Sequence, residues 1–176
     1  MRFIWIILIA LLLVSCSNED IKEEITYTDI DGNVYETIDI EGTLWITSDL
    51  RTTSDLEGQD LTSYDVDGYD SKLYNLKMVE SMISEGWRLP TPKEWNSLIS
   101  KYPSIESLRE SEFQLSFAGM YDFTGVYQWT DIGCLYLAKD KDGLVYYFYD
   151  GEGEALKTGS FHPKDAFAIR LVKIPE

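Results

Sequence analysis

The chain has 176 residues, with 31 acidic against 15 basic side chains, one histidine and two cysteines, and a formal net charge of -16. So acidic a surface repels phosphate backbones and anionic bilayers, which excludes nucleic-acid binding and leaves lipid as the route to any membrane. The single histidine, His162, stands before Pro163 in a turn, so no zinc or iron site of ordinary composition and no Ser-His-Asp or Cys-His pair can be assembled.

Residues 1-15 read as an address. One cation at Arg2, an apolar run from Phe3 to Val14, and Leu13-Val14-Ser15-Cys16 form a secretory signal ending in a bacterial lipobox. The run is shorter than the about 20 apolar residues of a membrane span. Cys16 is therefore the expected lipid attachment, residues 16-25 an acidic tether, and 26-176 one domain. The expected location is the outer membrane, lipid-anchored, on its periplasmic or extracellular face. Ser17, Asn18, Glu19 and Asp20 resemble the surface-export signal of Bacteroidota lipoproteins.

Tyr27 to Ile30, Val34 to Ile40 and Thr43 to Thr47 read as a meander of three strands joined at Asp31-Gly32-Asn33 and Glu41-Gly42. Residues 48-72 are rich in Asp, Ser, Thr and Gly and follow no period, which predicts a long irregular loop, with 51-72 mostly exposed. Tyr74, Leu76, Met78, Val79, Met82 and Ile83 have helical spacing up to Gly86. Thr91, Pro92 and Glu94 then spell an N-cap, a first-turn proline and a capping box. The helix they start carries a stripe of Trp95, Leu98, Ile99 and Tyr102; Pro103 stops it, and Ser104 opens a shorter helix through Arg109. Trp87 and Trp95 read as core anchors.

Six strands follow: Phe113 to Phe117, Val126 to Thr130, Leu135 to Ala138, Leu144 to Tyr149, Leu156 to Ser160 and Phe167 to Ile174. Helices between two groups of strands predict an α+β fold with an antiparallel sheet in which the N- and C-terminal strands meet. The aromatics of Val145 to Tyr149 lie on both faces of one strand and read as cross-strand packing.

Three Asp-x-Asp-Gly segments begin at Asp29, Asp65 and Asp140. None has the third acid and the bidentate Glu of an EF-hand loop, and those at Asp29 and Asp140 read as hairpin turns. Asp65 to Asp70 holds three acids in a loop and is the one weak calcium candidate; no other cofactor is expected. Carboxylates are so abundant that no pair of them argues for glycosidase chemistry.

The segment Gly86-Trp87-Arg88-Leu89-Pro90-Thr91-Pro92-Lys93-Glu94-Trp95-Asn96-Ser97-Leu98 resembles a hallmark of the Fibrobacter succinogenes major paralogous domain family. Asp31 to Thr53, Tyr74-Asn75-Leu76 and Ala168 to Lys173 are similar to that family's opening, central and closing motifs, in the same order. The resemblance implies a C-type lectin-like fold, antiparallel sheets with two or three helices and long loops, in the superfamily that includes sulfatase-modifying factors. In such folds long loops carry the binding surface, which points to residues 48-72. Trp129-Thr130-Asp131 is similar to one half of the calcium-dependent sugar site of C-type lectins, and the Glu-Pro-Asn half is missing. Catalytic relatives need a cysteine pair or several histidines, so no enzyme is expected. The function expected is recognition of a glycan or a cell-envelope protein through Tyr64, Asp65, Asp67, Trp129 and Asp131; the alternative is a docking component of an envelope or pilus assembly. The resemblance also implies a disulfide in relatives at the positions of Ile83 and Leu171, so these two are expected to pack together in the core. Cys134 is expected to be a buried free thiol.

Overall fold

The computed structural model describes residues 25-102, 104-140, 143-150, 155-159 and 161-173, without the side chains of 140, 143-150 and 155-159. The signal segment, Cys16, nearly all of the tether, Pro103 and the aromatic pattern of Val145 to Tyr149 lie outside the described residues or side chains.

The first strands form two hairpins instead of one meander. Strands β1 (Tyr27–Thr28) and β2 (Val34–Tyr35) pair only with each other, while β3 (Thr37–Ile40) and β4 (Thr43–Ile46) join another sheet. The β1–β2 turn is made by Asp29, whose carboxylate accepts from the backbone N–H of Asp31 and Asn33, from the Asn33 amide, and from the Tyr35 hydroxyl at 2.6 Å. This is the turn chemistry expected of the first Asp-x-Asp-Gly segment.

Strand β5 (Tyr64–Asp65) and β6 (Lys72–Asn75) precede helix α1 (Leu76–Met82). The sequence pattern placed Tyr74 in that helix. Instead Asn75 is the N-cap, accepting from the N–H groups of Lys77 and Met78, so Tyr74 stays extended and pairs with Phe167. Strand β7 (Trp87–Arg88) leads into α2 (Pro92–Lys101) and α3 (Ile105–Arg109). Thr91 and Glu94 form the expected capping box, and the Arg88 guanidinium grips the same Glu94 carboxylate at 2.6 and 2.8 Å.

Strands β8 (Met120–Tyr121), β9 (Tyr127–Gln128), β10 (Gly133–Asp140), β11 (Gly143–Asp150), β12 (Ala155–Gly159), β13 (Ala166–Phe167) and β14 (Val172–Lys173) complete the chain. Besides β1–β2, the sheets run β3-β4-β14-β7, β5-β6-β13-β8-β9 and β10-β11-β12, with every pairing inside them antiparallel, while isolated parallel bridges join Cys134 to Gly119 and Tyr136 to Ala168. The architecture is α+β, and N- and C-terminal strands do meet, with Val172 opposite Trp45.

Two apolar clusters lie on either side of these sheets. Along β10, Cys134, Tyr136 and Ala138 face one and Leu135 and Leu137 the other, so the strand is buried on both faces. Ala166 and Ala168 oppose Phe167, Ile169 and Leu171 in the same way. The first cluster is keyed by Trp45 against Trp95 (5.0 Å) and Phe113 (5.7 Å), each such side chain contributing about 1.5 to 3 kcal/mol. Trp87 is only half-buried, packed on Tyr27. Leu171 is fully buried and Ile83 half-buried against the same cluster, so the expected replacement of a disulfide by two core residues holds for one of them. Cys134 is a buried free thiol, its pKa pushed well up by burial.

Residues 113-117 alternate like a strand yet form none. Side chains take several of their hydrogen bonds: Arg170 donates to the carbonyls of Phe113 (2.8 Å) and Gln114 (2.9 Å), and Gln114 turns back with φ 49°. The guanidinium is fully buried and paired at 2.6 Å with Asp49, which also accepts from Tyr136 at 3.0 Å and from the Ser116 hydroxyl. Burial disfavours the charge on Arg170, but the adjoining Asp49 carboxylate outweighs it and raises the pKa.

Candidate functional site

The segment 64-70 and the stretch 119-133 pack together into one acidic and aromatic face. The turn after β9 is held by backbone geometry that few residues adopt: Trp129 has φ 65° and Asp131 φ 68°, a strained region for side chains bearing a Cβ. Asp131 N–H donates to the Phe117 carbonyl at 2.9 Å, and the N–H groups of Ile132 and Gly133 donate to Trp129 O. Gly119 lies beneath, so close that a Cβ there would sit 2.2 Å from the Gln128 carbonyl oxygen and 2.6 Å from Thr130 N. Only glycine fits. Because Phe117 belongs to the segment gripped by Arg170, the turn is tied through one stretch of backbone to the buried ion pair.

Side chains then join the two segments. The Tyr64 ring stacks on Tyr121 (4.0 Å), Tyr121 meets Tyr127 edge-on (4.9 Å), and the Tyr127 hydroxyl donates to the Asp65 carbonyl at 2.6 Å. The Tyr69 hydroxyl donates to the Asp131 carboxylate at 2.8 Å; burial and this bond push its pKa up to about 12. Asp65, Val66, Asp67, Tyr127 and Thr130 line an open cleft of about 440 Å³. Beside it Phe123, Val126, Tyr127, Trp129 and Ile132 are all exposed, Phe123 to 60% and Trp129 to 38%.

The acids differ in their partners. Asp65 forms an ion pair with Lys72, and Asp70 lies 3.7 Å from Arg51, so these two acids of the loop point to different cations. Among the described residues no ion pair engages Asp67, Asp122 or Asp131, and no group of three or more His, Cys, Asp or Glu is gathered that could hold a metal. Asp122 accepts from the Thr124 hydroxyl (2.6 Å), the Gln128 amide, and the N–H groups of Thr124 and Val126. Led by the Thr124 hydroxyl, these bonds lower its pKa to about 2, so it stays charged.

The structure thus gathers Tyr64, Asp65, Asp67, Trp129 and Asp131 around one face, with Tyr64 serving as a half-buried support. Of the long loop, residues 51-72 lie mostly outside regular structure, but Thr52, Val66 and Ser71 are buried and β5 pairs with β6. Sequence reasoning missed Phe123, Val126, Tyr127 and Ile132; the apolar run in a Gly- and Thr-containing hairpin was the available signal. It also missed a half-open groove of about 460 Å³ lined by Leu76, Val79, Ile83, Trp87, Leu89 and Lys139 among others. Ile83 borders that groove, which explains its partial exposure. His162 lies exposed in its turn, its ring 4.6 Å from Phe123.

What fold and surface together define is an α+β domain of mostly antiparallel sheets that presents an apolar, acid-rimmed face. Comparison with protein-family models, curated proteins and solved structures found no match for this chain.

Proposed function

We propose that the chain is a non-enzymatic recognition module, anchored to the outer membrane by lipid on Cys16, that binds a glycan or a cell-envelope protein with the face around Trp129. The supporting observation is the Trp129–Asp131 turn. Two strained backbone positions and the close approach at Gly119 hold an exposed indole near Tyr127 and near Asp67 and Asp131, which meet no cation among the described residues. Strain of this kind persists only where the surroundings over-determine it, and it concentrates at ligand sites. The apolar face of a sugar ring or an aliphatic side chain lies well on such rings, and Asp67 and Asp131 accept hydrogen bonds from its polar groups.

A glycan array run with and without calcium, beside affinity purification from outer membranes, tests this reading. A ligand retained by the native chain and lost by Trp129→Ala, with folding unchanged, is the expected result; equal retention by both proteins refutes the assignment of the face. Calcium dependence of that binding would mark Asp65 and Asp67 as its seat. The alternative, a docking unit of an envelope or pilus assembly, draws on β9 lying at the end of its sheet. Cys16→Ser tests the anchor: the variant should leave the detergent phase while the native chain partitions into it.

A further inference from the structure

Strand β9 is the last of its five-stranded sheet, and among the described residues nothing pairs with its outer edge. The Asp122 N–H donates to the Val126 carbonyl at 2.9 Å, which makes 122 and 126 a hydrogen-bonded pair. Antiparallel ladders alternate, so Tyr121 and Tyr127 form the non-hydrogen-bonded pair, and the N–H and C=O of Tyr127 point away from β8. An unpaired edge of this kind is a template for another chain, and proteins blunt it by shortness, lysine or proline; β9 is two residues long and offers one outward amide and carbonyl, those of Tyr127. Residues 123-132 contain neither lysine nor proline. Instead the edge is flanked by exposed Val126, Tyr127 and Trp129.

Charge selects the occupant. Asp67, Asp122 and Asp131 have no ion-pair partner among the described residues, and the chain carries a net charge of -16, so a second copy would set like charges face to face. A strand alternating Lys or Arg with apolar residues matches both features. Its backbone meets the Tyr127 amide and carbonyl, its apolar residues lie on Tyr127 and Trp129, and its cations face Asp67 and Asp131. We infer that β9 receives an extended basic segment of a partner protein as an added strand, an inference that rests on the recognition role proposed above and names its partner class.

The test uses the full chain in detergent and an acetylated, amidated hexapeptide alternating Lys and Val, followed by calorimetry. The peptide should bind, and affinity should fall about tenfold as salt rises from about 0.05 to about 0.5 M. The double variant Asp67→Asn/Asp131→Asn, which keeps acceptors for Tyr69 and so the fold, should bind about tenfold more weakly. Methylating alternate backbone amides of the peptide leaves its charge intact, alters no residue of the protein, and should abolish binding. Equal binding of the methylated peptide, or of a Glu–Val counterpart, overturns the inference. A neutral oligosaccharide whose binding requires Trp129, with no peptide binding, also overturns it while sparing the recognition role; failure of both ligands defeats both.

Discussion

The buried pair Asp49–Arg170 and the exposed face around Trp129 are built from the same materials, carboxylates set among aromatic rings, yet they finish differently. Around Arg170 the charge is spent: one carboxylate and two carbonyls take its N–H groups at 2.6 to 2.9 Å, and the Phe113 ring lies 4.6 Å from it. Around Trp129 the carboxylates of Asp67 and Asp131 meet no cation among the described residues, and the Tyr127 and Trp129 rings stay open to solvent. Satisfaction inside gives a defined backbone at 113-117, and that backbone holds the unsatisfied face in place. If this division is right, damage to the first region should cost stability, and damage to the second should cost binding alone.

The largest effect should come from Arg170→Met, which strands Asp49 without its counter-charge in the core; a loss of about 3 to 5 kcal/mol is expected in denaturant unfolding. Adding Asp49→Leu should recover much of it, and no recovery would show that the Phe113 and Gln114 carbonyls matter more than the ion pair. Next comes Gly119→Ala, where the new methyl collides with the 128-130 backbone. Overpacking of this kind costs about 1 to 3 kcal/mol, and near-ultraviolet dichroism should report the displaced Trp129.

Trp129→Gly should separate the two regions most cleanly. Relief of the left-handed strain at φ 65° is worth about 1 kcal/mol and offsets packing lost with the partly covered ring, so stability should change little while binding disappears. A marked fall in melting temperature would move Trp129 into the structural class.

The smallest effect concerns pH. Asp122 has its folded pKa lowered to about 2 from an ordinary 3.8, chiefly by the Thr124 hydroxyl, so its bonds stabilise the fold above about pH 4. That contribution is lost as pH falls from about 4 toward 2, and Asp122→Asn should flatten the stability curve in that window. A carboxyl titration by NMR with its midpoint near 4 would contradict the bonding at this turn.

Short-range chemistry was legible in the sequence. Thr91 and Glu94, Ser104, the Trp95–Leu98 stripe and the Asp29 turn depend on neighbours a few residues away, and each stands as read. Asn75 shows the limit, since an N-cap inside an apolar period reads as part of the helix it begins. Asp49 and Arg170 are 121 positions apart, and no local pattern joins them. For that reason Phe113 to Phe117 read as a strand, its carbonyls being claimed by a side chain far along the sequence. The positive φ of Trp129 and Asp131 was hidden because the glycine that permits the turn, Gly119, lies on the neighbouring stretch of chain.

The clamp at Arg170 also sets an order of events. A contact spanning 121 positions closes late, because the intervening chain must surrender its freedom before the bond rewards it. Until Arg170 reaches Asp49, the carbonyls of Phe113 and Gln114 have no donor, and the Phe117 anchor of the Trp129 turn is unset. The face around Trp129 should accordingly be a record of completed folding: a chain cut before Arg170 lacks the donor that fixes Phe113 and Gln114, and the surface built on that stretch is expected to stay unformed until the last strands are in place.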